Sequence, residues 1–344
     1  MRLVYQIQPE IPPFVFSFVY YLAAVASLYA LSFSFPQSLD DDESISNNEK
    51  EESTAIDKDN EFLPIQGGLE LGTYLFVGNA LQVIGLKTVP SDRAAFLLQL
   101  TTIFVPLVQA VFARNLLAVP VKVWLGCVLA LVGVGLMGID GSENAALSLD
   151  ALKDIQFSQG DFFIMLGAFS YTFHCIRLEL YAKTTSALKL ATAKATVETM
   201  WSAIAAIVSV LAVSLNLSGP VFDSLQGSGQ DIISYLNGAQ QALDRDPGIA
   251  LSNDSLQLGA ATAWVGIVTV AYTIYAQSFG QSRVSPASAN LIYAIQPIFT
   301  ALFAWTLLGE KLGVFGYAGG ALIGSAVLLV VKDADSNGGE ESSS

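Results

Sequence analysis

Residues 290–313, NLIYAIQPIFTALFAWTLLGEKLG, form an almost unbroken apolar run that holds Asn290, Tyr293 and the pair Gln296-Pro297 and stops at Gly309-Glu310-Lys311. At about 1.5 Å per residue, such a run is long enough to cross a hydrocarbon core of about 30 Å. Comparable stretches recur along the chain at roughly 14–33, 68–86, 93–113, 121–138, 160–181, 190–215, 258–280, 287–308 and 313–331, nine in all. Lipid offers no hydrogen bonds to the backbone, and barrel strands would be about ten residues long with strict alternation, so these segments are expected to be helices. An all-α polytopic membrane protein follows.

Composition agrees. Of 344 residues, 53% are hydrophobic and 13% charged, against about 25% charged in an ordinary soluble domain. The net charge of −14 is concentrated: ten of the thirty acidic residues fall between Asp40 and Glu61, in DDDESISNNEKEESTAIDKDNE. A stretch of such low hydrophobicity and high charge is expected to be disordered, so 34–67 reads as an acidic loop, either a spacer or a regulatory segment. A second polar loop, 216–257, is rich in Gly, Ser, Asn and Gln and has room for a short surface helix. Residues 139–159 read as a connecting loop and 333–344 as a disordered tail.

Several function classes are unsupported. Cys127 and Cys175 both lie inside spans, where a lone thiol is packing material, and His174 is the single histidine, which argues against a histidine-based metal site. There is no HExxH, GxSxG or P-loop pattern, so no catalytic residues and no cofactor are expected, and nothing points to a nucleic acid partner. The first span sits too deep and runs too long for a simple signal peptide, although AVA at 24–26 resembles a cleavage site. Eight loop Lys and Arg residues against six favour a cytosolic C-terminus. Plasma membrane, vacuole and plastid envelope all remain open.

The chain also repeats itself. At a shift of 195 residues, ALQVIG at 80–85 lies over YAQSFG at 275–280, so that Gln82 meets Gln277 and Gly85 meets Gly280. Repeats of this kind are common in transporters, whose site lies near the bilayer midplane between the halves. GDFFIMLGAFSYTFHCIRLELYAK from Gly160, SPASANLIYAIQPIFTALFAWTLLGEKL from Ser285 and the Gly-rich closing helix resemble the second repeat of the drug/metabolite transporter superfamily, in its EamA-like branch. The resemblance implies a first repeat over 1–138 and a second over 160–332. It also implies a ten-helix plan in two inverted five-helix repeats, of which the first helix is missing here.

Polar residues inside the spans are the candidates for a cavity, because each unsatisfied polar group in hydrocarbon costs several kcal/mol. On one continuous helix, Asn290, Tyr293, Gln296 and Thr300 would share an arc of roughly 120°, and Pro297 would free the carbonyl near Tyr293 and kink the helix. Gln99 heads a stripe with Thr102, Pro106 and Gln109. Asn79 and Gln82 are three apart on the preceding span, and Tyr272, Tyr275 and Phe279 share a face. Each of these also has a plain reading as helix-helix glue or packing. His174, aligned with Ser170, Arg177 and Tyr181, is either a proton relay or a hydrogen-bonded packing residue. Glu198 is either a proton-coupling carboxylate or the partner of Lys194 four residues earlier. Glu310 reads as a helix-end residue.

Gly126, Gly133, Gly135, Gly319, Gly320 and Gly324 allow close helix approach, and GALIG at 320–324 has a spacing that supports a homodimer or packs within one chain. The leading expectation is a carrier that moves a small polar or amphipathic metabolite across a lipid bilayer by alternating access. The rival is a non-transporting membrane scaffold or degenerate paralogue.

Overall fold

The computed structural model describes residues 11–34, 57–86, 88–89, 91–115, 119–140, 157–217, 220–246, 253–303, 305–306 and 313–341. These are helical almost throughout: α1 (Pro13–Ser34), α2 (Asp57–Leu86), α3 (Ser91–Gln99), α4 (Thr101–Phe112), α5 (Val121–Asp140), α6 (Gln159–Thr184), α7 (Ala187–Ser214), α8 (Pro220–Arg245), α9 (Asn253–Trp264), a π-helical segment (Val265–Ala271), α10 (Tyr272–Gln281), α11 (Pro286–Tyr293), α12 (Gln296–Phe303) and α13 (Val314–Glu341). Among the described residues, six stretches are long and apolar enough to cross a membrane: 13–34, 64–86, 93–112, 121–138, 187–214 and 255–281. The protein is an integral, multi-pass, all-α membrane protein.

The other three expected spans differ. α6 is of spanning length but carries Asp161, Arg177, Glu179 and Lys183. The apolar part of α13 is shorter, Val314–Leu329. The run that opened the reading is broken, because α11 ends at Tyr293 and α12 starts at Gln296. Proline has no N–H to give the carbonyl four residues back, so Pro297 leaves residue 293 without its helical bond and the chain turns there. Ser285 starts α11 cleanly: its side chain accepts from the Ser288 N–H at 3.3 Å, with Pro286 in the first turn.

Three boundaries move as well. α2 begins at Asp57, inside the segment read as acidic loop, and α13 continues to Glu341, through the segment read as a tail. The polar loop holds a 26-residue helix, α8, rather than a short one. One face of α8 is apolar and lies on α7, while Gln230, Asp231, Asn237, Gln240 and Gln241 face outward. A Cβ at Gly229 would strike the Ser209 carbonyl and come within 2.7 Å of Val213. The side chains of Asp40–Glu61, the connection 141–156, Glu310 and Lys311 lie outside the description.

Two helices close with a left-handed residue. Arg114 has φ 50° and Asn216 φ 49°. Asn115 N–H bonds Ala110 O and Arg114 N–H bonds Val111 O. Leu217 N–H repeats this on Ala212 O, and Asn216 N–H on Val213 O. Both ends are Schellman closures that Gly would fit without strain.

The chain folds into two compact units. The first comprises residues up to Phe76 and Leu180–Ser282, and the second Val77–Glu179 and Arg283 onward. Helices α2 and α6 are each divided between the units.

In the first unit, α1 packs on α7 and on the π-helical segment, and α7 also carries α8 and α10. The core is Phe16, Tyr20, Tyr21, Ala24, Leu28, Leu188, Ala191, Ala195, Val265, Ala271 and Ile274. Tyr235 of α8, outside the spans, packs against that cluster, and burial pushes its phenol up. Without a hydrophobic effect between helices in lipid, close backbone approach supplies the packing. Gly68 lies against Ala193, Gly72 against Val197, and Gly266 of the π-helical segment against Tyr20 and Ala23.

The second unit uses the same device. Its core holds Val105, Ala110, Cys127, Ala130, Cys175, Ala287, Leu291, Ala294 and Ala326. α5 and α13 cross at Gly133 and Gly319, where a Cβ on Gly133 would lie 2.7 Å from the Gly319 carbonyl. GALIG is not that contact: among the described residues an added Cβ at Gly320 would meet Ile298 alone, at 4.0 Å, and one at Gly324 would meet nothing within 4 Å.

Candidate functional site

The sequence candidates separate into two polar clusters, one in each unit. In the second unit, the Tyr171 hydroxyl lies 2.8 Å from Asn79 Oδ1 and 3.1 Å from Gln82 Oε1. One turn of α2 brings the two amides to the same side, and α6 supplies the phenol. Gly78 makes this approach possible, since a Cβ there would fall 2.6 Å from the Tyr171 ring. A hydroxyl has one proton, so it donates to one amide oxygen while the other amide, turned over, donates to the phenol oxygen. Asn79 is itself exposed. Three neutral groups thus offer donors and acceptors without fixed charge.

The remaining candidates of that unit do not gather into one stripe. Gln99 sits at the end of α3, where its amide N–H donates to Thr102 Oγ1 at 2.8 Å across the break at Leu100. That bond joins the first two members of the expected Gln99–Gln109 stripe, of which Thr102 and Pro106 are buried and Gln109 half-buried. Asn290 is buried at 6% exposure, and its amide nitrogen has no hydrogen-bond partner among the described residues. Tyr293 is partly buried and Gln296 exposed. The arc expected for Asn290, Tyr293, Gln296 and Thr300 fails, because an angular period applies within one helix and these residues lie on two. His174 is buried at 1% exposure on α6.

In the first unit, Glu198 of α7 accepts a hydrogen bond from the Tyr21 hydroxyl of α1 at 2.9 Å. Glu198 and Lys194, one turn apart, are 1% and 0% exposed. The Lys194 ammonium acts on this carboxyl from one turn away, and the bond to Tyr21, 177 residues away in the chain, adds a link between helices that no sequence feature marks. Tyr275 packs on the same cluster as Tyr21 and stacks on Phe279 at 6.1 Å between ring centres, whereas Tyr272 is 67% exposed. All three residues of the expected aromatic face lie on α10, where Tyr275 turns toward the cluster while Tyr272 and Phe279 are exposed.

Sequence reasoning missed three contributors, Tyr21, Tyr171 and the Arg93–Asp161 pair, and it gave Tyr181 no partner, whereas its hydroxyl donates to Glu70 at 2.7 Å. Arg93 Nη2 donates to Asp161 Oδ2 at 2.7 Å. Asp161 is also half of a capping box, its Oδ2 accepting from the Ser158 N–H while its own N–H donates to Ser158 Oγ. The motif S-x-x-D was readable at 158–161; the arginine was not. Among the described residues, no group of His, Cys, Asp and Glu has the arrangement of a metal site.

Polar groups held on helices of spanning length are features shared with multi-helix membrane transporters. Residues 244–332 match the EamA-like transporter family. A permease-like protein of Bacillus subtilis (strain 168), YdzE, is 36% identical over 70 residues, which span 20% of this chain and 90% of that protein. One solved crystal structure superposes with a TM-score of 0.60 over 96% of this chain and 90% of its own, at 14% identity, a likeness of fold alone. The chain belongs to the EamA-like transporter family of the drug/metabolite transporter superfamily, and it is a membrane transporter of that type.

Proposed function

We propose that this transporter is a secondary carrier that moves a small polar or amphipathic metabolite, neutral or zwitterionic, by alternating access. Asn79, Gln82, Gln99, Asn290, Tyr293 and Gln296, all of the second unit, are its candidate cavity lining, and Tyr171 joins them. The observation that carries this reading is the exposed amide of Asn79 on a helix of spanning length, with its oxygen held by Tyr171. An exposed amide facing lipid costs several kcal/mol, so such a group belongs on a wet cavity. Amides and phenols give directed hydrogen bonds to a solute that carries little net charge. A multiply charged anion would want Lys or Arg, and the span interiors hold almost none.

The test is uptake into proteoliposomes of a labelled mixture of neutral and zwitterionic amino acids and sugars, beside a doubly charged phosphate ester. Accumulation of a neutral or zwitterionic member that falls in Asn79→Ala and Gln82→Ala supports the reading. Faster transport of the phosphate ester overturns the solute class. No uptake of any solute by folded protein favours a non-transporting scaffold.

A further inference from the structure

The buried cluster of the first unit is not used by the cavity just described. Glu198 lies about 16 Å from the start of α7 and about 24 Å from its end at 1.5 Å per residue, well inside the span. Two ionisable side chains at that depth are costly, and apolar residues of similar volume would hold α1 and α7 together at less cost. Packing alone therefore does not account for Lys194 and Glu198.

The carboxylate is held asymmetrically. Oε1 accepts the Tyr21 hydroxyl at 2.9 Å, while Oε2 is buried and accepts no hydrogen bond among the described residues. A lone pair remains on an oxygen screened from solvent. The groups that face this carboxyl are few: Tyr21, with Tyr20 against it at 4.6 Å between ring centres, comes from α1, and Lys194 acts on it from its own helix. From the other elements, Tyr235 of α8 and Tyr275 of α10 pack on the same apolar cluster. Glu70 of α2 is engaged by Tyr181, and the π-helical segment brings no titratable side chain.

That set selects among the small cations a carrier can use. A metal cation needs several oxygen ligands, and here it would meet one phenol, one carboxylate and the repulsion of the Lys194 ammonium. A proton needs only the lone pair on Oε2. The neighbourhood is also suited to movement. α1 bears the Tyr21 donor and packs on the seven-residue π-helical segment Val265–Ala271, where Gly266 meets Tyr20 backbone to backbone. π-helical turns inside α-helices recur at functional sites because their extra residue leaves room for the helix to adjust.

We propose that Glu198 is the proton-binding site of this carrier, taking one proton from water onto Oε2 and releasing it in step with transport. The proposal rests on the carrier reading for the use of the proton, and on the Tyr21–Glu198–Lys194 geometry for the site itself. Protonation removes the charge that attracts the Lys194 ammonium and makes Glu198 a donor through Oε2. The α1–α7 contact thereby changes from a charge-assisted hydrogen bond to one between neutral groups, about half as strong.

Two measurements on the full chain in liposomes separate site from use. In infrared difference spectra taken between acid and alkaline buffer, the carbonyl stretch of a buried carboxylic acid should appear in the wild type. It should be lost in Glu198→Gln, persist in Asp161→Asn, and titrate with a displaced midpoint in Tyr21→Phe, which keeps the carboxyl should the glutamine variant fold poorly. Absence of a titrating band assignable to Glu198 overturns the proposal whatever the transport result.

Uptake of the same amino acid and sugar mixture is then compared under an imposed pH gradient and in exchange at equal pH. Glu198→Gln should lose gradient-driven accumulation down to the level of protein-free liposomes while keeping exchange. Equal loss of both modes means that Glu198 is structural and overturns the coupling. Uptake of none of these solutes by any variant defeats the carrier reading, while the infrared arm still decides the site.

Discussion

Replacing Gly133 by Ala tests the helix packing of the second unit at the close backbone crossing of α5 and α13. The added methyl would sit 2.7 Å from the Gly319 carbonyl oxygen and 2.7 Å from Ile323 Cγ1, where ordinary contact begins near 3.4 Å. α5 and α13 must therefore part by about 0.7 Å at that point, the difference of those two distances. A gap of that size forfeits roughly a quarter to a half of the dispersion energy of each atom pair it opens. Overpacking of this kind costs about 1–3 kcal/mol.

Cys127, fully buried on the same α5, and Cys175 in the same core give the assay without labelling the chain. A maleimide dye that fluoresces on reaction with thiols reports their exposure as the detergent-solubilised protein is heated. Gly133→Ala should lower the midpoint by roughly 2 °C or more. Gly324→Ala, with nothing within 4 Å of its new methyl, should leave the midpoint unchanged or raise it. Equal shifts in the two variants, or a silent Gly133→Ala, would refute the argument that backbone contact at 133 and 319 holds this pair.

Tyr171→Phe removes the phenol shared by Asn79 and Gln82; hydrogen bonds between membrane helices average about 0.6 kcal/mol, so its thermal midpoint should move little while metabolite uptake falls. Arg93→Ala leaves Asp161, 0% exposed, without its cation and should destabilise by about 3 kcal/mol. The double change Arg93→Ala with Asp161→Asn should recover part of that loss in the same dye assay. Arg114→Gly relieves a left-handed backbone position and should stabilise by roughly 1 kcal/mol, raising the midpoint. Gly229→Leu should detach α8 from α7, read as protease cleavage within 220–245 that the wild type resists.

The spans of α1, α5 and α7 were legible from the sequence because lipid cannot satisfy a backbone, so an apolar run of sufficient length has one structural outcome. The same rule made Asn79, Gln82 and Glu198 conspicuous before any neighbour was known. Local chemistry also marked the turn near Pro297, since a missing N–H acts within four residues.

What the tertiary structure alone decided is which side chain meets which across the bundle. Tyr21 reaches Glu198 over 177 residues and Tyr171 reaches Asn79 over 92, and a tyrosine in an apolar helix carries no mark of its partner. The arc expected at 290–300 failed for a related reason, since the break after Tyr293 resets the angular period. The π-helical segment at Val265–Ala271 likewise leaves no signature in VGIVTVA. Close approach followed that logic too: Gly133 and Gly319 touch while Gly320 and Gly324 do not. A glycine permits contact, but only the rotation of its helix determines whether another backbone lies opposite.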